Sequence, residues 1–158
     1  MVQTSSTTIR SAAGSDLPAI ERLLEANKLP LVGVRDAIRD CLVAERDGTL
    51  VGVIGLEIYD DRGLLRSAAV DAGERGTGVG AALVGALIDA SRTRGLKELV
   101  LLTTTAGRWF PRFGFATIAR DDTPVAVKRS AEFLGACPAS ATVMRLDLGP
   151  APTGGSAQ

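Results

Sequence analysis

Apolar positions divide the chain into short alternating runs and helical arcs. Ile9-Arg10 predicts a short first strand. Leu17, Ile20, Leu23 and Leu24 then recur at helical spacing, so residues 16–26 predict an amphipathic helix with Ser15 as its N-cap. Pro30 breaks the connector at residues 27–33, which reads equally as a wall of a substrate site or a plain loop. A weaker helix follows over residues 34–40, with Arg35, Asp36, Arg39 and Asp40 facing outward. Residues 41–45 and 50–59 predict antiparallel strands joined through Asp47-Gly48, whose residue types accept the left-handed backbone of a tight turn. Asp60-Asp61-Arg62-Gly63 predicts a second turn, after which residues 64–70 return as a strand. If Tyr59 stands opposite Leu64, Glu57 faces Arg66 on one face of the sheet, and a local ion pair accounts for both.

The second half has a different rhythm. Leu83, Val84, Leu87 and Ile88 share one arc of a helix that Gly95 ends. Residues 98–105 contain the unbroken run Leu99-Val100-Leu101-Leu102, which suits a central strand covered on both faces and parallel to the strand before it. This strand–helix–strand unit is expected to be a right-handed crossover with a ligand site at its glycine turn. Residues 108–113 predict a short helical stretch interrupted by Pro111, which costs a helix hydrogen bond unless it lies in the first turn, and residues 115–119 a strand. Thr123 and Pro124 predict the N-cap and first residue of a helix running to Phe133. Residues 141–148 predict a strand at the edge of the sheet, which permits a homodimer.

At 158 residues this is one domain, placed at residues 9–148, with flexible tails at 1–8 and 149–158 that are rich in small and polar residues. Eighteen basic and eighteen acidic residues cancel, which gives no reason to expect nucleic acid or an anionic membrane surface as partner. No apolar run is long enough to span a bilayer and residues 1–8 lack a leader pattern, so the expected location is cytoplasmic. With no histidine, and with Cys41 and Cys137 lacking paired metal spacing, no metal is expected. Both cysteines read as reduced, small apolar side chains.

The candidate chemistry centres on Arg75-Gly76-Thr77-Gly78-Val79-Gly80, between a strand and a helix. Glycines let a backbone approach a ligand closely, and the first turn of a helix presents unpaired N–H groups to an anion. Arg75 adds a fixed positive charge, so a phosphate-bearing cofactor is expected. A dinucleotide fingerprint fits formally through Gly76, Gly78 and Ala81. It needs an acidic residue at the end of the following strand, where this chain has Thr103-Thr104-Thr105. A P-loop fails, since no Gly-Lys-Ser/Thr follows.

Arg75-x-x-Gly78-x-Gly80, after an antiparallel meander and before an amphipathic helix, resembles the acetyl-CoA loop of the GNAT N-acetyltransferases. Leu102-Thr103-Thr104, Trp109-Phe110 and Gly114-Phe115 resemble the GNAT domain of N-acetylglutamate synthases. Residues 42–146, with Gly63-Leu64-Leu65-Arg66-Ser67 and Cys137-Pro138-Ala139-Ser140-Ala141, are more similar still to the arsenic-resistance-associated GNAT subgroup of the second type. The resemblance implies an α/β (α+β) GNAT fold. Its sheet is mixed and mostly antiparallel, with a central parallel pair splayed at the acetyl-CoA site and helices on both faces. It implies acetyl-CoA as cosubstrate, held by Ala68, Ala69 and Val70 along the pantetheine arm and by Arg75, Gly76, Gly78, Val79, Gly80 and Ala81 at the pyrophosphate. The implied acceptor is a small-molecule amine or amino acid, with glutamate-like toxic analogues leading.

Direct acetyl transfer needs a neutral amine, an oxyanion donor and a proton for the leaving thiolate. The resemblance places the donor at the Val70 amide. Many GNAT enzymes carry a tyrosine four residues before the Gly-Phe ending, where this chain has Phe110, so a water-relayed proton is expected. Glu57 and Tyr59 share a strand face and either could order a water that takes the ammonium proton, though structural roles account for both. Arg66 is the candidate for an acceptor carboxylate, alongside Ser67, Thr103, Thr104, Thr105 and Arg108. Arg112, Lys128, Arg129 and Cys137 are further candidates near the acceptor or CoA. A noncatalytic acyl-CoA-binding regulator and a protein or peptide acetyltransferase are the rival functions.

Overall fold

The computed structural model describes residues 7–29, 31, 33–74, 76–104, 106–130 and 140–149. Its strands are β1 (Thr7–Ser11), β2 (Leu42–Arg46), β3 (Thr49–Tyr59), β4 (Arg62–Val70), β5 (Glu98–Thr103), β6 (Ala116–Ile118) and β7 (Thr142–Asp147). Its α-helices are α1 (Leu17–Ala26), α2 (Val34–Ala37), α3 (Val79–Thr93) and α4 (Val125–Lys128). The strands form one mixed sheet in the order β1-β2-β3-β4-β5-β7-β6. The β4–β5 pair is parallel, through Arg62↔Glu98, Gly63↔Leu99 and Leu64↔Val100, and β1–β2, β2–β3, β5–β7 and β6–β7 are antiparallel. This is the expected mixed, mostly antiparallel architecture with its parallel pair. The chain divides into two compact units, Met1–Leu56 with Ser67–Leu87, and Glu57–Arg66 with Ile88–Gln158.

In the first unit the helical arc is buried as its spacing requires. Ile20, Leu23 and Leu24 of α1 pack with Val34, Cys41, Val43, Val53 and Ala69. The β2–β3 hairpin turns at Asp47 (φ 54°) and Gly48 (φ 79°), two consecutive left-handed residues that match the twist of the flanking strands. Cys41 is a buried free thiol whose Sγ donates to the Ala37 carbonyl at 3.4 Å.

In the second unit Leu64, Val100, Val127 and Val143 form a core with Tyr59, Leu102 and Ile118 against it. A 3-10 turn, Phe110–Phe113, carries Pro111 in its first turn, where the missing N–H costs nothing. Trp109 meets the edges of Phe110 and Phe113 at 5.0 and 4.9 Å, and Phe110 meets Phe115 at 5.6 Å. Gly95 (φ 82°) ends α3, its N–H bonded to the Arg92 carbonyl.

Several expected boundaries move. The first strand takes in Thr7 and Thr8, because it pairs residue by residue with β2 from Thr7↔Arg46 onward. The N-cap of α1 is Asp16 and not Ser15, because α1 begins at Leu17. A 3-10 turn at Gly14–Asp16 precedes α1, and the Asp16 carboxylate accepts the Ala13 N–H at 2.7 Å. The second turn is Asp60–Asp61 alone, so Arg62 and Gly63 already belong to β4. β5 stops at Thr103, and β6 is shorter than residues 115–119. Pro124 takes the N-cap of α4, which ends at Lys128; Phe133 and Cys137 lie outside the described residues. Finally, β7 is not an edge strand. It pairs with β5 from Glu98↔Asp147 to Thr103↔Thr142 and with β6 on its other side, which leaves β1 and β6 at the edges.

Arg10 clasps the start of the fold, with Nη1 and Nη2 on the Asp16 carboxylate at 2.8 and 2.9 Å and Nε on Glu45 at 2.8 Å. The paired guanidinium and the Ala13 N–H hold Asp16 down at about 2, below its ordinary 3.8. A depressed carboxylate stabilises the fold above its unfolded value and loses that contribution as pH falls through the folded one. Wild type is therefore expected to exceed Asp16→Asn by about 1 kcal/mol near neutrality, discounted for the half-exposed Arg10. The difference should shrink between about pH 4 and pH 2. Urea unfolding across that range checks it, and a constant difference would refute the ion-pair origin.

Candidate active site

In the first unit, β4 leads into a 3-10 turn, Ala72–Glu74, and then into the glycine turn and α3. Ala69 is buried, Ala68 and Val70 are half-buried, and residues 76–78 are exposed. Gly76 and Gly78 adopt φ of 84° and 91°, the left-handed region that disfavours any side chain. A Cβ at either would meet no described atom within 4 Å, so open space stands over both. The first helical hydrogen bond runs from the Ala82 N–H to the Gly78 carbonyl, which leaves the N–H groups of Val79, Gly80 and Ala81 ahead of it at the positive end of the helix. Open space over left-handed glycines, beside the amide end of a fifteen-residue helix, fits an anion such as a pyrophosphate. Arg75 lies outside the described residues.

Sequence reasoning missed what seats this helix. Gly52 of β3 lies under it: a Cβ there would come within 2.8 Å of Leu83 Cδ1 and 3.1 Å of Val79 Cγ1. A glycine inside a strand pattern is the signal for such an approach. The last peptide of β4 is held as well, with the Asp71 N–H donating to the Val51 carbonyl at 2.8 Å.

The second unit brings Glu57, Tyr59 and Arg66 together. Arg66 Nη1 donates to Glu57 Oε2 at 2.6 Å and the Tyr59 hydroxyl donates to Glu57 Oε1 at 2.5 Å. The Arg66 side chain is 1% exposed and that of Glu57 14%. The ion pair expected across the sheet forms, although the turn closes two residues earlier than the pairing of Tyr59 with Leu64 assumed. Both Glu57 oxygens are engaged, and the Tyr59 proton is directed at a carboxylate. Ser67, next along β4, is buried and left-handed (φ 55°), a strained conformation for a residue with a side chain.

Thr103 Oγ1 accepts the Ala106 N–H at 2.9 Å and so shapes the chain leaving β5. Thr104 and Arg108 are exposed, and Thr105 lies outside the described residues. Arg112 is engaged with Trp109, its Nε donating to that carbonyl at 3.0 Å and its guanidinium 5.6 Å from the ring centre. Lys128 Nζ reaches the Asp121 carbonyl at 3.4 Å. Among the described residues no cluster of metal-ligating side chains forms and no helix is long and apolar enough to cross a membrane.

The model of the Acetyltransferase (GNAT) family matches residues 10–115, a span that takes in the strand, the left-handed glycine turn and the open helix end. The chain belongs to that family. This GNAT protein is 35% identical to the amino-acid acetyltransferase of Mycobacterium tuberculosis over 74% of its own length and 71% of that relative's. It is 31% identical to an amino-acid acetyltransferase of Neisseria meningitidis, over 73% of its own length, and spans 29% of that protein. Among solved structures, Rv2747 from M. tuberculosis in complex with CoA and NLQ matches with a TM-score of 0.76 at 30% identity, over 89% of this chain and 98% of that one. N-acetylglutamate synthase from Neisseria gonorrhoeae, complexed with coenzyme A and N-acetyl-glutamate, matches with a TM-score of 0.79 at 26% identity, over 92% of this chain and 36% of that one.

The GNAT protein is thus an N-acetyltransferase whose cosubstrate is acetyl-CoA, which supplies the acetyl thioester. Phe110, where many GNAT enzymes carry a tyrosine, is buried between Trp109 and Phe115 and offers no proton.

Proposed function

We propose that this GNAT protein acetylates the amine of a small amino acid, with glutamate-like acceptors first. The acceptor class is carried by the similarity to amino-acid acetyltransferases over about three-quarters of the chain. On this chain, Arg66 is the group suited to a carboxylate, because a guanidinium presents several N–H groups in a planar fork that matches one.

Ala68, Ala69 and Val70 offer backbone groups to the pantetheine arm, and the amides of Gly76, Gly78, Val79, Gly80 and Ala81, with Arg75, hold the pyrophosphate. The Val70 N–H is the oxyanion donor. Ser67, Thr103, Thr104, Thr105 and Arg108 contribute polar groups to the acceptor. Glu57, with Tyr59, orders a water that takes the ammonium proton, and a water returns a proton to the thiolate. The finer reading, an acceptor encountered in arsenic resistance such as arsinothricin, rests on the resemblance of residues 42–146 to the arsenic-associated subgroup.

The test is mass-spectrometric detection of acetylated product from acetyl-CoA and purified protein with glutamate, phosphinothricin, arsinothricin, neutral amino acids, polyamines and a lysine peptide. Turnover of one dicarboxylate-like amino acid well above the rest is expected. Preferred turnover of the peptide overturns the acceptor class, and CoA binding without any product favours a noncatalytic regulator.

A further inference from the structure

Among the described residues nothing packs on the glycine turn from above, since a Cβ on Gly76 or Gly78 would meet no atom within 4 Å. Its shape is fixed from one side, through Glu74. The Glu74 N–H donates to the Asp71 carbonyl at 2.8 Å, and the Glu74 carbonyl accepts both the N–H (3.2 Å) and the hydroxyl (2.5 Å) of Thr77. The Glu74 side chain reaches Arg46 at the end of β2, with Oε1 2.9 Å from Nη2, and the same Oε1 lies 3.4 Å from Thr77 Oγ1. Both partners are mostly buried, Arg46 24% and Glu74 17% exposed. Arg46 itself is anchored by the β2–β3 hairpin, opposite Thr49.

A carboxylate is an awkward neighbour for a phosphate site. Glu74 opens the very segment that receives a pyrophosphate, and its negative charge opposes that ligand unless a cation neutralises it. Arg46 neutralises it and at the same time ties the turn to the sheet.

We propose that Arg46 is a positioning residue for acetyl-CoA, acting through Glu74: it holds the turn in its anion-accepting shape and cancels the Glu74 carboxylate. This rests on the glycine turn being the acetyl-CoA site. The two partners are then unequal. Loss of Arg46 leaves the partly buried Glu74 carboxylate without this ion-pair partner beside the turn, whereas loss of the Glu74 charge leaves a cation there.

Calorimetric binding of CoA and steady-state kinetics on the full chain test this. Arg46→Gln is expected to raise the CoA Kd and the acetyl-CoA KM about tenfold, with kcat and the acceptor KM changed less than about twofold. Glu74→Gln keeps the hydrogen-bonding shape and is expected to bind CoA within about twofold of wild type or tighter. The double variant should recover to within about threefold of wild type, and the Arg46→Gln defect should narrow at high salt. The defect should be equal with 3′-dephospho-CoA.

Equal losses from Arg46→Gln and Glu74→Gln, as a merely structural pair would give, overturn the inference. So does a double variant no better than Arg46→Gln, or a defect that vanishes with 3′-dephospho-CoA, since either marks direct contact of Arg46 with the ligand. If Arg46→Gln fails to fold, Glu74→Gln and the double variant still decide between unequal and equal partners. Wild type that binds no CoA refutes the acetyl-CoA reading, and this inference with it.

Discussion

Gly78→Val is expected to weaken CoA binding by at least about 100-fold while leaving the chain folded. At φ 91° a β-branched residue is forced out of the left-handed region, at a cost of about 1–3 kcal/mol, and relief comes by turning the peptide that aims its N–H at the ligand. The new side chain also enters the open space over the turn, where no described atom lies within 4 Å of a Cβ. The variant therefore loses donor geometry and room together, and because residues 76–78 are exposed, little core packing is lost with them. Gly85→Ala is the paired control. It lies within α3, its Cβ would meet nothing within 4 Å, and it should gain up to about 1 kcal/mol of stability with CoA binding unchanged. Calorimetry with CoA and thermal unfolding of both variants check this. A Gly78→Val protein that binds CoA within about threefold of wild type would place the phosphate site elsewhere.

Arg66→Ala carries the second large effect, on two observables. Removing a guanidinium 1% exposed leaves the Glu57 carboxylate, 14% exposed, without its ion-pair partner, and breaking such a pair from one side costs about 3–5 kcal/mol. If Arg66 also receives the acceptor carboxylate, kcat/KM for the preferred amino acid falls about 100-fold or more, while the acetyl-CoA KM stays near wild type. Arg66→Lys separates the effects. It keeps the charge beside Glu57, restoring much of the stability, but an ammonium cannot fork onto a carboxylate, so the acceptor KM stays raised. Chemical denaturation and acceptor kinetics on both variants are the measurements. A stable Arg66→Lys enzyme with an unmoved acceptor KM would make Arg66 a structural partner of Glu57 and remove it from substrate binding.

The parts of this protein legible in its sequence are those that local chemistry dictates. Asp47-Gly48 specifies a hairpin because two adjacent residues can turn left-handed without strain, and both do. Ile20, Leu23 and Leu24 are buried on α1, and Leu83, Val84, Leu87 and Ile88 on α3, because their spacing puts them on one face. The glycine turn and the open end of α3 were readable for the same reason: glycines accept a left-handed backbone, and a helix start presents N–H groups suited to an anion.

What only the tertiary structure decided is everything that depends on partners distant in sequence. No local signal says that β7 inserts between β5 and β6, because strand order is set by pairings between segments distant in sequence. Asp16 displaced Ser15 as the N-cap of α1 because residues 14–16 close into a 3-10 turn that Arg10 and the Ala13 N–H pin through the Asp16 carboxylate, so that α1 starts only at Leu17. Glu57 and Tyr59 were legible as neighbours on one strand face. That both Glu57 oxygens are taken, by Tyr59 and by Arg66, was not, since a side chain's hydrogen-bonding capacity is divided only when its neighbours are in place. Arg46 and Glu74 lie 28 positions apart, each unremarkable in its own segment, and only the fold sets them 2.9 Å from one another beside the turn. The sequence by itself determined where backbone geometry invites a phosphate; the tertiary structure decided which charges stand around it, because electrostatic partners are chosen by distance in space and not by distance along the chain.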